Sequence, residues 1–171
     1  WYKNHDYEGA PGSLFIVGKR MESVGAYWND AQFGFGHWSH YDDMPGHKFF
    51  HWSLAPSGMI WKTLLTDTNG QYFEPQMGRL FTQEDHEFLA PYGSDQWREI
   101  WFPYKKIGPM VEATPYGALN VKNDGGSLSL GFCALQALDE EIVVTAAGRE
   151  VHRERLTLKT MEVWQKTLPL K

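Results

Sequence analysis

Two short rows in the chain combine rings with groups that hold or move protons. In residues 71–77, two-residue alternation puts Tyr72, Glu74 and Gln76 on one strand face, with Phe73 and Met77 on the other. An aromatic ring, a carboxylate and an amide in one row supply a packing platform, a general acid or base, and a group that both donates and accepts hydrogen bonds. Sugars need this mixture, because their hydroxyls donate and accept while their C–H faces pack on rings. Residues 97–104 repeat the theme, with Trp97, Glu99 and Trp101 on one side and Ile100 and Phe102 on the other. The same alternation also describes the solvent face of an antiparallel strand, so neither row specifies a ligand unaided.

Four of the seven histidines, His37, His40, His47 and His51, fall within fifteen positions. Neutral imidazole ligates zinc, but His37 and His40 differ in strand parity, and no cysteine pair or His-Glu-x-x-His spacing accompanies them. Hydrogen-bonding histidines in a cleft are the preferred reading, with no metal and no cofactor, and His51 reads as a core or edge residue. The run Glu84, Asp85, His86, Glu87 reads first as a solvated loop. Phosphate-binding glycine loops and a Gly-x-Ser-x-Gly elbow are absent, which argues against the common nucleotide-dependent and serine-hydrolase classes.

The elements that must position these side chains read as β. The chain has 171 residues, 42 % hydrophobic and 15 % aromatic, a composition that folds. Its 17 glycines and 9 prolines punctuate short β-rich segments at 14–17, 25–28, 33–38, 48–54, 71–77, 97–104, 128–134, 141–146, 151–158 and 162–170. Turns are expected at Met44-Pro45-Gly46, Pro56-Ser57-Gly58, Asn123-Asp124-Gly125-Gly126 and Ala147-Gly148, with Asn69-Gly70 the best hairpin signal. One helical turn is expected over 83–89, and helical content should be small.

Seven of the eight tryptophans precede Asn123. A boundary is therefore expected there, dividing an aromatic segment, 1–122, from sandwich strands of the same domain, 123–171. The net charge of -5 leaves no basic excess for nucleic acid or an anionic membrane, and no apolar run reads as a transmembrane segment. The single cysteine, Cys133, is neutral on compartment, and localisation stays unknown.

The run from Asp67 to Gly108 resembles a bacterial family of unknown function, an all-β domain often found ahead of tetratricopeptide repeats and assigned to the galactose-mutarotase-like superfamily. Leu65-Thr66-Asp67, Gly70, Tyr72, Glu74, Gln76, Gly78, Phe81-Thr82-Gln83, Asp85, Phe88-Leu89, Pro91-Tyr92, Trp101, Pro103-Tyr104-Lys105 and Ile107-Gly108 carry the likeness, with Lys48-Phe49-Phe50-x-Trp52 and His40 upstream. The resemblance implies an antiparallel β-supersandwich with a carbohydrate cleft on the concave face of its large sheet. Complete members are longer, so the chain, which starts at Trp1, reads as the later part of a larger domain. A truncated sheet would offer an edge for self-association, and tetratricopeptide repeats would follow in the longer protein.

In the aldose-epimerase branch a glutamate removes the anomeric proton and a histidine protonates the ring oxygen. Glu74 and His40 are the candidates for these roles, with His37, Tyr72, Gln76, Glu84, Trp97, Glu99 and Trp101 as substrate-binding residues. A glycoside hydrolase would instead pair Glu74 with Glu84 or Glu99, at roughly 5 Å for retention or roughly 6.5 to 9.5 Å for inversion. The expected function is carbohydrate recognition, with epimerase-like or hydrolase-like activity open. The alternative is a non-catalytic module binding a glycan or protein through its aromatic face.

Overall fold

The computed structural model describes residues 12–52, 55–68 and 70–170. Asn69 and the last two residues of the strand expected over 48–54 lie outside them. Among the described residues the fold is all-β, with four antiparallel sheets and one α-helix. The chain divides into two compact units, residues 1–21 with 40–97 and residues 22–39 with 98–171.

The first unit carries a three-stranded sheet in the order β1-β4-β5, formed by β1 (Gly12–Ile16), β4 (His47–His51) and β5 (Phe73–Gln76). Phe49 and Phe73 stack with their centroids 5.3 Å apart, and Phe15 meets Phe50 edge-on at 6.2 Å. Between β4 and β5 runs α1 (Pro56–Leu65), where three turn-type residues had indicated only a turn. Proline is well suited to the first helical position, because its missing N–H would have had no helical partner there. Thr66 closes the helix, its hydroxyl reaching the carbonyls of Lys62 at 2.9 Å and Gly70 at 2.5 Å. Gly70 has a φ of 92°, which favours glycine, and the element before it is helix α1, so no β-hairpin is formed here. Residues 83–89 contain no helix.

The second unit is layered. One layer is β2 (Ser23–Trp28), β3 (Phe33–Ser39) and β6 (Glu99–Lys105), in the order β2-β3-β6. Another is β7 (Glu112–Thr114), β8 (Gly117–Asn123), β9 (Ser127–Ala134) and β12 (Val163–Pro169), in the order β12-β9-β8-β7. The last is the hairpin of β10 (Leu138–Ala146) and β11 (Arg149–Leu158). Alternation along β9 serves two cores: Cys133 joins Trp38, Phe102, Tyr104 and Ile107, whereas Phe132 and Ala134 join Leu156 and Leu158. Tyr104 is satisfied in the first core by donating to the Ala26 carbonyl at 3.2 Å and accepting from the Met110 N–H at 3.3 Å.

Residues 123–127, where the composition changes, span the end of β8, the turn at 124–126 and the start of β9, two neighbours in one sheet. The β10 and β11 hairpin turns at Ala147 and Gly148, both at positive φ, and its outer face is charged, with Arg155 gripping Asp139 and Arg153 bridging Glu141 and Glu150. Strands β7 and β8 were not expected. Their side chains are small where they pack, because a Cβ on Gly117 would run into the Phe132 ring and Ala118 is fully buried.

Candidate functional site

In the first unit, antiparallel register sets Glu74 opposite Phe50 and Gln76 opposite Lys48, so both polar side chains start from the Phe50 face of the sheet. Gln76 Nε2 donates to Glu74 Oε2 at 3.2 Å, and the Tyr72 hydroxyl also hydrogen-bonds Glu74. Burial, and then Glu74, push the Tyr72 phenol above its usual range, so it remains a donor to the carboxylate. Glu74 and Gln76 open on a cavity of about 280 Å³, lined also by Ser13, Phe50, His51, Trp52 and Gln83. That volume approaches the lower end of small-molecule sites.

Three local features hold this wall. Trp52 packs on Trp61 of α1 at 5.4 Å, and its indole nitrogen is buried without a hydrogen-bond partner among the described residues. The His51 ring lies against Gly12, where any Cβ would come within 2.6 Å of Nε2. Burial lowers the imidazole's pKa, which favours the neutral ring. Lys48 anchors the segment leading to Gln83: its buried ammonium donates to the carbonyls of Leu80 at 2.6 Å and Gly46 at 3.1 Å. Thr82 and Asp85 then close a turn through Thr82 N–H to Asp85 Oδ2 at 2.9 Å.

In the second unit, His37 of β3 lies opposite Trp101 of β6, and Ser39 lies opposite Glu99. His37 Nε2 meets Glu99 Oε2 at 2.7 Å, and the Trp101 ring stands edge-on to the imidazole at 4.4 Å. His37 is wholly buried, and desolvation lowers its pKa despite the opposing pull of Glu99. A neutral imidazole here donates from Nε2 and fixes the carboxylate. Phe35 stacks on Trp101 at 6.3 Å and meets Trp28 at 5.8 Å.

Six of the nine sequence candidates thus fall into two groups. Tyr72, Glu74 and Gln76 are joined by hydrogen bonds in the first unit; His37, Glu99 and Trp101 are in contact in the second. His40 is exposed, its carbonyl accepting from the N–H groups of Asp43 and Met44, and it does not line the cavity beside Glu74. The histidine on that cavity is His51. Glu84 is exposed, with its N–H 3.3 Å from the Thr82 hydroxyl. Trp97 precedes β6 and is about half exposed. Sequence reasoning also missed Gln83, Ser13 and the ring row through Phe35 and Trp28. The ring row had a signal, since Phe33, Phe35 and His37 share parity in β3. Among the described residues, no group of three or more His, Cys, Asp or Glu is arranged to hold a metal ion.

No curated protein matches the chain, and no solved structure does. The family model described as Domain of unknown function (DUF5107) matches residues 1–104, a span containing all nine candidates. With more than half of its length matched, the chain belongs to this DUF5107 domain-of-unknown-function family.

Proposed function

We propose that the protein is a carbohydrate-recognising domain whose ligand enters the cavity beside Glu74. The observation that carries this reading is the hydrogen-bonded row of Tyr72, Glu74 and Gln76, of which Glu74 and Gln76 open onto a cavity with a tryptophan in its wall. A carboxylate braced by two neighbours accepts from a pair of sugar hydroxyls, the amides of Gln76 and Gln83 bond in both directions, and the rings cover a C–H face. An exposed ion-pair site would lack the rings, and a lipid site would lack the carboxylate.

The sugar-active variant of this reading is epimerase-like or hydrolase-like chemistry with Glu74 as the proton-transferring group. His51 then takes precedence over His40 as the histidine partner, because it lines the same cavity. Antiparallel sheets ending in edge strands such as β5 and β12 support the wider reading of a galactose-mutarotase-like supersandwich that self-associates through an edge and precedes tetratricopeptide repeats.

Binding without turnover is the second reading. It is favoured by the complete burial of His37, which holds Glu99 but is itself beyond the reach of a ligand. Intrinsic tryptophan fluorescence titrated with mono- and oligosaccharides tests recognition, and reducing-end and anomer-ratio assays on the sugars that bind then test turnover. Saturable quenching is expected. Quenching without product supports the binding module, and a folded protein that answers to no sugar contradicts both readings.

A further inference from the structure

The charge of the cavity beside Glu74 is one-sided. Its lining carries one acid, Glu74, and no lysine or arginine among the described residues. The described partners of Glu74 are the amide of Gln76, at 3.2 Å, and the phenol of Tyr72. Both donors are neutral, so they orient the carboxylate and leave its charge uncompensated. Three cations of this unit are engaged elsewhere. Lys48, opposite Gln76 in the register, directs its ammonium to the Gly46 and Leu80 carbonyls, Arg79 bridges Glu87 and Asp95, and Arg20 grips Asp42. Burial disfavours a positive charge on His51, the other titratable side chain of the lining.

We infer that this cavity takes an amino sugar, a hexose unit whose free, protonated amine sits on the Glu74 carboxylate. The inference rests on the carbohydrate reading and adds the class of sugar. Binding strips water from a carboxylate whose wall also holds Phe50 and Trp52, and a neutral hydroxyl restores a hydrogen bond there without balancing the charge. An ammonium does both, and its hydrogen bond to a carboxylate is charge-assisted. It also brings three donors. Glu74 keeps lone pairs after accepting from two neighbours, and the Gln76 carbonyl oxygen and the Ser13 hydroxyl, in the same lining, are further acceptors. A plain amine would leave the rest of the lining unanswered. The amide N–H groups of Gln83 and the hydroxyl hydrogen of Ser13 call for acceptors, which an ammonium lacks and sugar hydroxyls supply. Uronic acids are disfavoured by the same charge, because their carboxylate would share the cavity with Glu74 and no lining lysine or arginine to offset it.

The test is calorimetric titration of the whole chain with gluco-, galacto- and manno-hexoses, each as the free amine, the neutral sugar and the N-acetyl derivative, and with glucuronate, galacturonate and cyclohexylamine. In the series that binds, the amine should be roughly tenfold tighter than its neutral and N-acetyl counterparts, and the uronates should be weakest. Glu74→Gln, its fold checked by circular dichroism, should bring amine and neutral sugar to equal affinity. Raising the pH of the parent protein through the amine's own pKa should do the same without any variant, since the Tyr72 phenol is pushed up and His51 is already disposed to be neutral. Equal affinity for amine, neutral and N-acetyl sugars would overturn this inference while leaving the carbohydrate reading standing, as would a preference for the amine that survives in Glu74→Gln. Cyclohexylamine binding as tightly as the amino sugars would overturn it too, because the sugar would then contribute nothing. Failure of every sugar would overturn both.

Discussion

His37 and Glu99 meet across β3 and β6 through a bond of 2.7 Å between a fully buried ring nitrogen and a carboxylate that is still in touch with solvent. The arrangement separates two duties. The imidazole is withdrawn from water and kept neutral, while the carboxylate stays partly exposed and loses its rotational freedom.

That separation predicts a pH dependence of stability. Burial lowers the folded pKa of His37 below 6.5, and burial acts on His51 in the same direction. Below about 6.5 the unfolded chain takes up protons that the folded rings resist, so this stability is complete above that value and is lost as pH falls toward the lowered folded pKa. Urea midpoints measured between about pH 7.5 and 5.5 should fall with acid, and His37→Gln should flatten the slope whatever its effect on the midpoint itself. Equal slopes in the two proteins would contradict the assignment.

Lys48 carries a different prediction. Its ammonium is buried and held by the Gly46 and Leu80 carbonyls, so Lys48→Met leaves two acceptors without their donor. A loss of about 1 to 3 kcal/mol in urea unfolding is expected. Proteolysis between residues 79 and 97 should also accelerate, since the anchored segment is freed. An unchanged midpoint and cleavage rate would refute the anchoring role.

Cys133 is fully buried among Trp38, Phe102 and Tyr104, and burial pushes its thiol above the usual range. A thiolate reagent should therefore leave the native protein unlabelled and react with one equivalent after denaturation. Rapid labelling under native conditions would show that this core opens readily.

Much of the sheet structure was legible because two-residue alternation survives wherever one face is buried, as at the end of β11, where Leu156 and Leu158 are buried and Arg155 and Thr157 are exposed. Helix α1 was hidden for a related reason. Met59, Ile60, Leu64 and Leu65 are all exposed, and only Gly58 is buried, so no buried apolar stripe repeats at helical spacing. The row of Tyr72, Glu74 and Gln76 could be read because it is local. Parity holds only within a strand, and β6 starts at Glu99, two residues after Trp97. Gln83 and His51 reach the Glu74 cavity through a loop anchored by Lys48 and through a strand end, relationships that alternation does not encode.

The central claim is that the protein recognises carbohydrate through the carboxylate of Glu74. It is tested most directly by titration calorimetry of the parent and Glu74→Gln with a monosaccharide that quenches the parent's tryptophan fluorescence. The amide keeps the side chain's size and removes its charge, so affinity should fall roughly ten- to a hundredfold, as expected for a hydrogen bond to a charged acceptor. Equal affinity in a folded Glu74→Gln protein would contradict the account.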